Sequence, residues 1–161
     1  MFERIDHVAV AVSDLEAAVE RYRLALGAEP VHRERVEEQG VEEVLFRLGD
    51  AYVQLLGALG PDTPVGRFLA TRGPGLHHVA YRVADVAAEL ERLGEAGFRL
   101  VDQAPRRGSR GTTIAFVHPA GMEGVLVELV QEGGSPTGEA SPPAEGGPGP
   151  RPPQGESRSA R

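Results

Sequence analysis

The chain has 161 residues, 40% hydrophobic and 25% charged, with a formal net charge of −7. That balance suits a soluble globular domain and leaves no electrostatic footprint for a nucleic-acid partner. Without cysteine, disulfides, thiolate metal sites and a cysteine nucleophile are excluded. No apolar run approaches the ~20 residues that cross a bilayer, and Met1–Ile5 lacks the apolar core of a secretion signal, so a cytoplasmic protein is expected.

In chain order, Ile5–Val12 alternates as a strand and leads into a helix. Ser13 and Glu16 form an S-x-x-E capping box, and Leu15, Ala18, Val19, Tyr22 and Leu26 make an apolar stripe at helical spacing. Strand-like runs follow near residues 29–37, 43–48 and 52–56. Residues 58–73 read as a linker. The pattern then returns: Leu76-His77-His78-Val79-Ala80-Tyr81 parallels Ile5-Asp6-His7-Val8-Ala9-Val10, at an offset of 71 positions. Asp85 caps a second helix carrying Val86, Leu90 and Leu93, and Gly97 stops it. Strand-like runs near 99–103, 112–117 and 125–130 complete the second copy. Each half therefore reads βαβββ, giving an α+β protein of two modules, about 1–57 and 74–131. Neither half offers a core of comfortable size, so the two sheets are expected to assemble around one cleft. From Glu132 to Arg161 the chain has no Val, Ile, Leu or aromatic residue, and a disordered Gly/Pro-rich tail is expected there.

Strand parity sorts the polar residues. In the first strand Val8, Val10 and Val12 share the helix-covered face, and His7 lies on the other. The repeat puts His78 in the place of His7 and His77 in that of Asp6, so His78 is the histidine expected in the cleft. The last strands of the two modules match Gln54 with Glu128. Two imidazoles, an amide oxygen and a carboxylate suit a divalent metal of borderline softness. His32 and His118 have no repeat partner and are read as surface or loop residues.

These motifs, with Pro64-Val65-Gly66-Arg67-Phe68-Leu69 and Ala115-Phe116-Val117-His118-Pro119, resemble the vicinal oxygen chelate (glyoxalase/bleomycin resistance/dioxygenase) superfamily. Within it they are most similar to the methylmalonyl-CoA epimerase family over residues 1–131. The resemblance implies a metal held by His7, Gln54, His78 and Glu128, with Glu43 as the catalytic base. Without it, Glu43 reads as one more solvated charge in an acidic stretch. Glu42 points to the other face of a regular strand. Gly57-Ala58-Leu59-Gly60 departs from the acidic residue and proline frequent in the family at that loop, which carries no ligand.

The activity implied is interconversion of the (2R) and (2S) epimers of methylmalonyl-CoA through an enolate. An octahedral Co²⁺ or Mn²⁺ is expected, because four protein ligands saturate tetrahedral zinc. The opposite-face acid is either Glu128 or an ordered water. Arg106, Arg107 and Arg110, set among Gly108 and Gly111, read equally as an anion-binding loop and as a solvated turn. The family also implies a homodimer. A glyoxalase-type lyase is the enzymatic alternative, though Gln54 stands where such enzymes usually carry Glu. An extradiol dioxygenase needs a three-ligand facial site, and a non-catalytic binding protein commonly lacks the ligand set.

Overall fold

The computed structural model describes residues 1–133; the tail expected to be disordered lies, from residue 134 on, outside the described residues. Eight strands form one mixed sheet in the order β2-β3-β4-β1-β5-β8-β7-β6. It curls into a half-barrel with three helices. β1 (Phe2–Val12), α1 (Leu15–Leu26), β2 (His32–Val36), β3 (Val41–Leu48) and β4 (Ala51–Ala58) make the first module. After α2 (Pro64–Arg72), the second contains β5 (Gly75–Val83), α3 (Val86–Glu95), β6 (Arg106–Arg107), β7 (Thr113–Val117) and β8 (Val127–Gln131). The modules join through antiparallel pairing of β1 with β5, while β4 and β8 lie parallel to β1 and β5 on their outer sides.

Both module helices bury the stripes read from the sequence. Leu15, Val19, Tyr22 and Leu26 pack with Ala18 over Val12, Val44, Phe46 and Leu55. Val86, Leu90 and Leu93 pack over Val83, Ala115, Val117 and Leu129. Each such side chain, fully buried, contributes about 1.5–3 kcal/mol. Asp85 caps α3 as expected, accepting from the Ala88 N–H at 3.0 Å, and Gly97, with φ 82°, turns the chain just beyond it. The start of α1 differs by one residue from the expected Ser13 box. Asp14 is the cap, accepting from the Ala17 N–H at 2.9 Å, and Glu16 turns outward to pair with Arg33. A carboxylate at the cap adds its charge to the positive helix end, which a serine does not.

Two stretches depart from the expected pattern. The linker folds as α2, because Thr63 caps it (Gly66 N–H to Thr63 Oγ1, 3.1 Å) and Pro64 occupies its first turn. The strand expected near 99–103 shrinks to a bridge between Leu100 and Val117. There the Asp102 carboxylate takes the Phe116 N–H at 2.8 Å, so that this donor goes to a side chain and not to a backbone carbonyl of the expected strand. The second module's outer strand is therefore only β6. His32 is not a loop residue: it sits in β2, with Nε2 2.9 Å from Glu34 Oε2. His118 stays in a turn, where Nδ1 accepts from the Ala120 N–H at 3.0 Å.

Candidate active site

The register explains why four distant residues face one another. His7 pairs with Ala80 and Ala9 with His78 across β1 and β5. Ala9 also pairs with Gln54, and Ala80 with Glu128. Paired residues share a face of the sheet, so all four polar side chains rise from the concave face around two alanines. Ala9 and Ala80 are wholly buried, and their small side chains leave room between the larger groups.

His7 Nε2 lies 3.0 Å from Glu128 Oε2 and 3.1 Å from His78 Nε2, and His78 Nε2 lies 3.1 Å from Glu128 Oε2. All three residues are buried. Burial opposes the charge on His7, but hydrogen bonds to Asp6 and Glu128 outweigh it and push its pKa up to about 9. Burial holds His78 low, hence neutral. Glu128 lies well below the usual carboxylate range, because its bonds to the two imidazoles exceed the cost of burying its charge.

Gln54 turns its amide N–H₂ to Glu43 Oε2 at 2.7 Å, leaving its own Oε1 buried without a partner. Glu43 Oε1 is likewise buried and unpartnered. Burial raises the Glu43 pKa, while the Ser109 side chain pulls it the other way. Glu42 faces away and pairs with Arg33, as the alternation requires. Glu34 lies directly across the β2–β3 ladder from Glu43 and, with His32, sits beside it.

Several neighbours were not legible as site residues. Asp6 is fully buried and accepts from His7 Nδ1 at 2.8 Å, from Arg110 at 2.8 Å and from Arg82 at 2.6 Å. The only signal in the sequence was its position beside His7. His77 Nδ1 lies 2.9 Å from His78 Nδ1, and Phe116 meets the His78 ring edge-on. Of the basic loop, Arg106 and Arg110 line the cleft. Arg106 also pairs with Asp102, and Arg110, at φ 56°, stacks over Tyr52. Arg107 is absent from the lining, and its carbonyl accepts from Gln39.

The cleft encloses about 250 Å³ and joins the three-residue cluster, Gln54 and Glu43 to apolar walls that include Leu56, Ile114 and Phe116. Such a cavity holds polar chemistry against a dry wall, as a small-molecule site does. Fold and site define a protein of two tandem βαβββ modules with a buried His₂–Glu group, able to hold a metal ion, in a shared cleft. The profile of the glyoxalase/bleomycin resistance protein/dioxygenase superfamily matches residues 6–116. The ethylmalonyl-CoA/methylmalonyl-CoA epimerase of Cereibacter sphaeroides is 40% identical over 133 residues, covering 81% of this chain and 99% of that one. A methylmalonyl-CoA epimerase solved with methylmalonyl-CoA and NH₄⁺ superposes with a TM-score of 0.79 at 43% identity, over 81% of this chain and 95% of that one. A variant Streptomyces coelicolor methylmalonyl-CoA epimerase, solved with 2-nitronate-propionyl-CoA, gives 0.79 at 42% identity over the same shares. The chain belongs to the methylmalonyl-CoA epimerase family of the glyoxalase/bleomycin resistance protein/dioxygenase superfamily.

The superfamily uses a divalent metal, and the residues present fit one. Two imidazole nitrogens and a carboxylate oxygen converge within 4.8 Å of one another. The buried, unpartnered Gln54 Oε1 is an acceptor with no donor among the described residues, as a fourth ligand oxygen would be without its ion.

Proposed function

We propose that this protein interconverts (2R)- and (2S)-methylmalonyl-CoA, with Glu43 as the base and His7, Gln54, His78 and Glu128 as the metal ligands. The observation that carries the reading is the unpartnered Glu43 Oε1, buried in the same cleft as the three-residue cluster. Held by these four residues, a divalent ion would supply a Lewis acid that lowers the energy of negative charge on the thioester oxygen. Glu43 Oε1 takes the α-proton, and the C–H electron pair delocalises into the thioester as an enolate. The Gln54 amide holds the other Glu43 oxygen at 2.7 Å and so fixes the direction from which the base attacks. Burial keeps Glu43 a stronger base than a solvated carboxylate.

Reprotonation comes from the opposite face. The repeat puts Ile114 where the first module has Glu43: Glu43 pairs with Leu56 beside Gln54, and Ile114 with Val130 beside Glu128. No matching second carboxylate is therefore supplied by symmetry, which leaves Glu128 or an ordered water as the donor. The His₂–amide–carboxylate set favours Co²⁺ or Mn²⁺, because octahedral ions keep positions free beyond four protein ligands. A homodimer in the cytoplasm and a catalytic unit confined to residues 1–131 complete the reading. Among the described residues no helix is long and apolar enough to cross a membrane.

The test is exchange of the α-proton. Metal-loaded protein in deuterated water should incorporate deuterium into methylmalonyl-CoA as the epimers equilibrate. Metal-loaded protein that leaves the α-proton untouched would refute the activity.

A further inference from the structure

The two histidines of the cleft are each held by the residue before them, and the two supports differ in chemistry. Asp6 stands to His7 as His77 stands to His78 in the repeat. His7 Nδ1 lies 2.8 Å from Asp6 Oδ1, and His78 Nδ1 lies 2.9 Å from His77 Nδ1. Asp6 Oδ1 also accepts from Arg110 Nη2 at 2.8 Å, and Oδ2 from Arg82 Nη2 at 2.6 Å and Nε at 3.2 Å. With two guanidinium groups on it, the fully buried carboxylate can only accept, so the proton between it and His7 belongs to His7 Nδ1. The nitrogen left to act as a ligand is then Nε2, the one that faces Glu128.

His77 imposes no such choice. It packs edge-on against Phe68, and among the described residues neither a cation nor a carboxylate is hydrogen bonded to it. A contact between two imidazole nitrogens works with the proton on either ring. When His77 donates, His78 carries its proton on Nε2 and offers no lone pair to the cleft.

We propose that Asp6 is a positioning residue that locks His7 in the Nδ1–H form and makes it the anchoring metal ligand, with His78 the adaptable one. The Arg110 contact, made from the loop that lines the cleft, strengthens that lock from the opposite module. This inference rests on the metal reading above. A ligating imidazole whose other nitrogen donates to a carboxylate loses roughly 10–100-fold in metal affinity when that support is removed.

Titration of the full chain with Co²⁺ by calorimetry tests it. Asp6→Asn should weaken Co²⁺ binding by ~10–100-fold, His77→Gln by much less, with His77→Gln melting like the wild type. In zinc-loaded wild-type protein, long-range ¹⁵N–¹H spectra should show His7 protonated at Nδ1 and ligating through Nε2. This reading does not depend on whether Asp6→Asn folds with two buried arginines beside it. Arg110→Gln, which leaves Arg82 on Asp6, should weaken Co²⁺ severalfold. Asp6→Asn binding as tightly as wild type, equal losses in Asp6→Asn and His77→Gln, or His7 ligating through Nδ1 would each overturn the proposal. Wild-type protein that binds no Co²⁺ would instead sink the metal reading itself.

Discussion

Glu42 and Glu43 are adjacent in sequence and opposite in the fold, which makes their two Gln variants a matched pair. Glu43→Gln keeps the shape of the side chain, and its amide oxygen still accepts from Gln54 in place of the 2.7 Å bond. It removes a buried charge rather than leaving one unpaired, so little stability should be lost. What disappears is the lone pair on the unpartnered oxygen. A positioned general base contributes about 10²–10⁴ in rate, or about 2.7–5.4 kcal/mol at ~1.36 kcal/mol per decade. Glu42→Gln breaks only a partly exposed pair with Arg33, worth ~0.2–1 kcal/mol of stability, on the far face of β3. Turnover of methylmalonyl-CoA followed by deuterium uptake, with metal content measured on the same samples, should give Glu43→Gln down by ~10²–10⁴ with metal retained. Glu42→Gln should turn over normally. If Glu43→Gln stays within ~10-fold of wild type while holding its metal, below the range for a lost base, Glu43 is not the base. Equal losses in both variants would mean that Glu42, like Glu43, acts in the cleft.

Three further outcomes are expected. Below about pH 9 the metal-free His7 carries a second proton, which an ion must displace. Co²⁺ affinity measured in buffers of different ionisation enthalpy should therefore rise ~10-fold per unit towards that pH, with about one proton released. A flat profile would mean that the bonds to Asp6 and Glu128 do not hold His7 protonated before the ion binds. In Gly66→Ala the new Cβ would lie 2.2 Å from the Gly60 carbonyl oxygen and 2.7 Å from that of Pro61, so α2 must shift. Thermal melts should show a loss of ~1–3 kcal/mol, and an unchanged melting temperature would mean the loop yields freely. Truncation after Gly133, which keeps the Glu132–Arg82 ion pair, should leave both melting temperature and α-proton exchange unchanged; a marked loss of either would give the tail a role in the catalytic unit.

What the sequence determined by itself was the face each residue of the paired strands and the two module helices presents, which local periodicity fixes. The alternation of β1 put His7 opposite Val8 and Val10, the repeat chose His78 over His77, and matched strand ends paired Gln54 with Glu128. The module helices were visible for the same reason, as stripes such as Leu15, Val19, Tyr22 and Leu26. Only the tertiary structure decided features made by residues far apart in the chain. Arg110 reaches Asp6 across 104 positions and Arg82 reaches it across 76, so a residue that reads as a neighbour of His7 becomes the centre of a buried network. The strand expected near 99–103 shrank to a bridge between Leu100 and Val117, where the Asp102 carboxylate accepts the Phe116 N–H. Glu43 as the proposed base was legible only through family resemblance, because an acidic run on a strand says nothing about depth. Packing supplies the depth, leaving Glu43 3% exposed while Glu42 stays at the surface side of the same strand. Period-two alternation states which side chains share a face, but burial and partner choice arise only when distant strands close over that face.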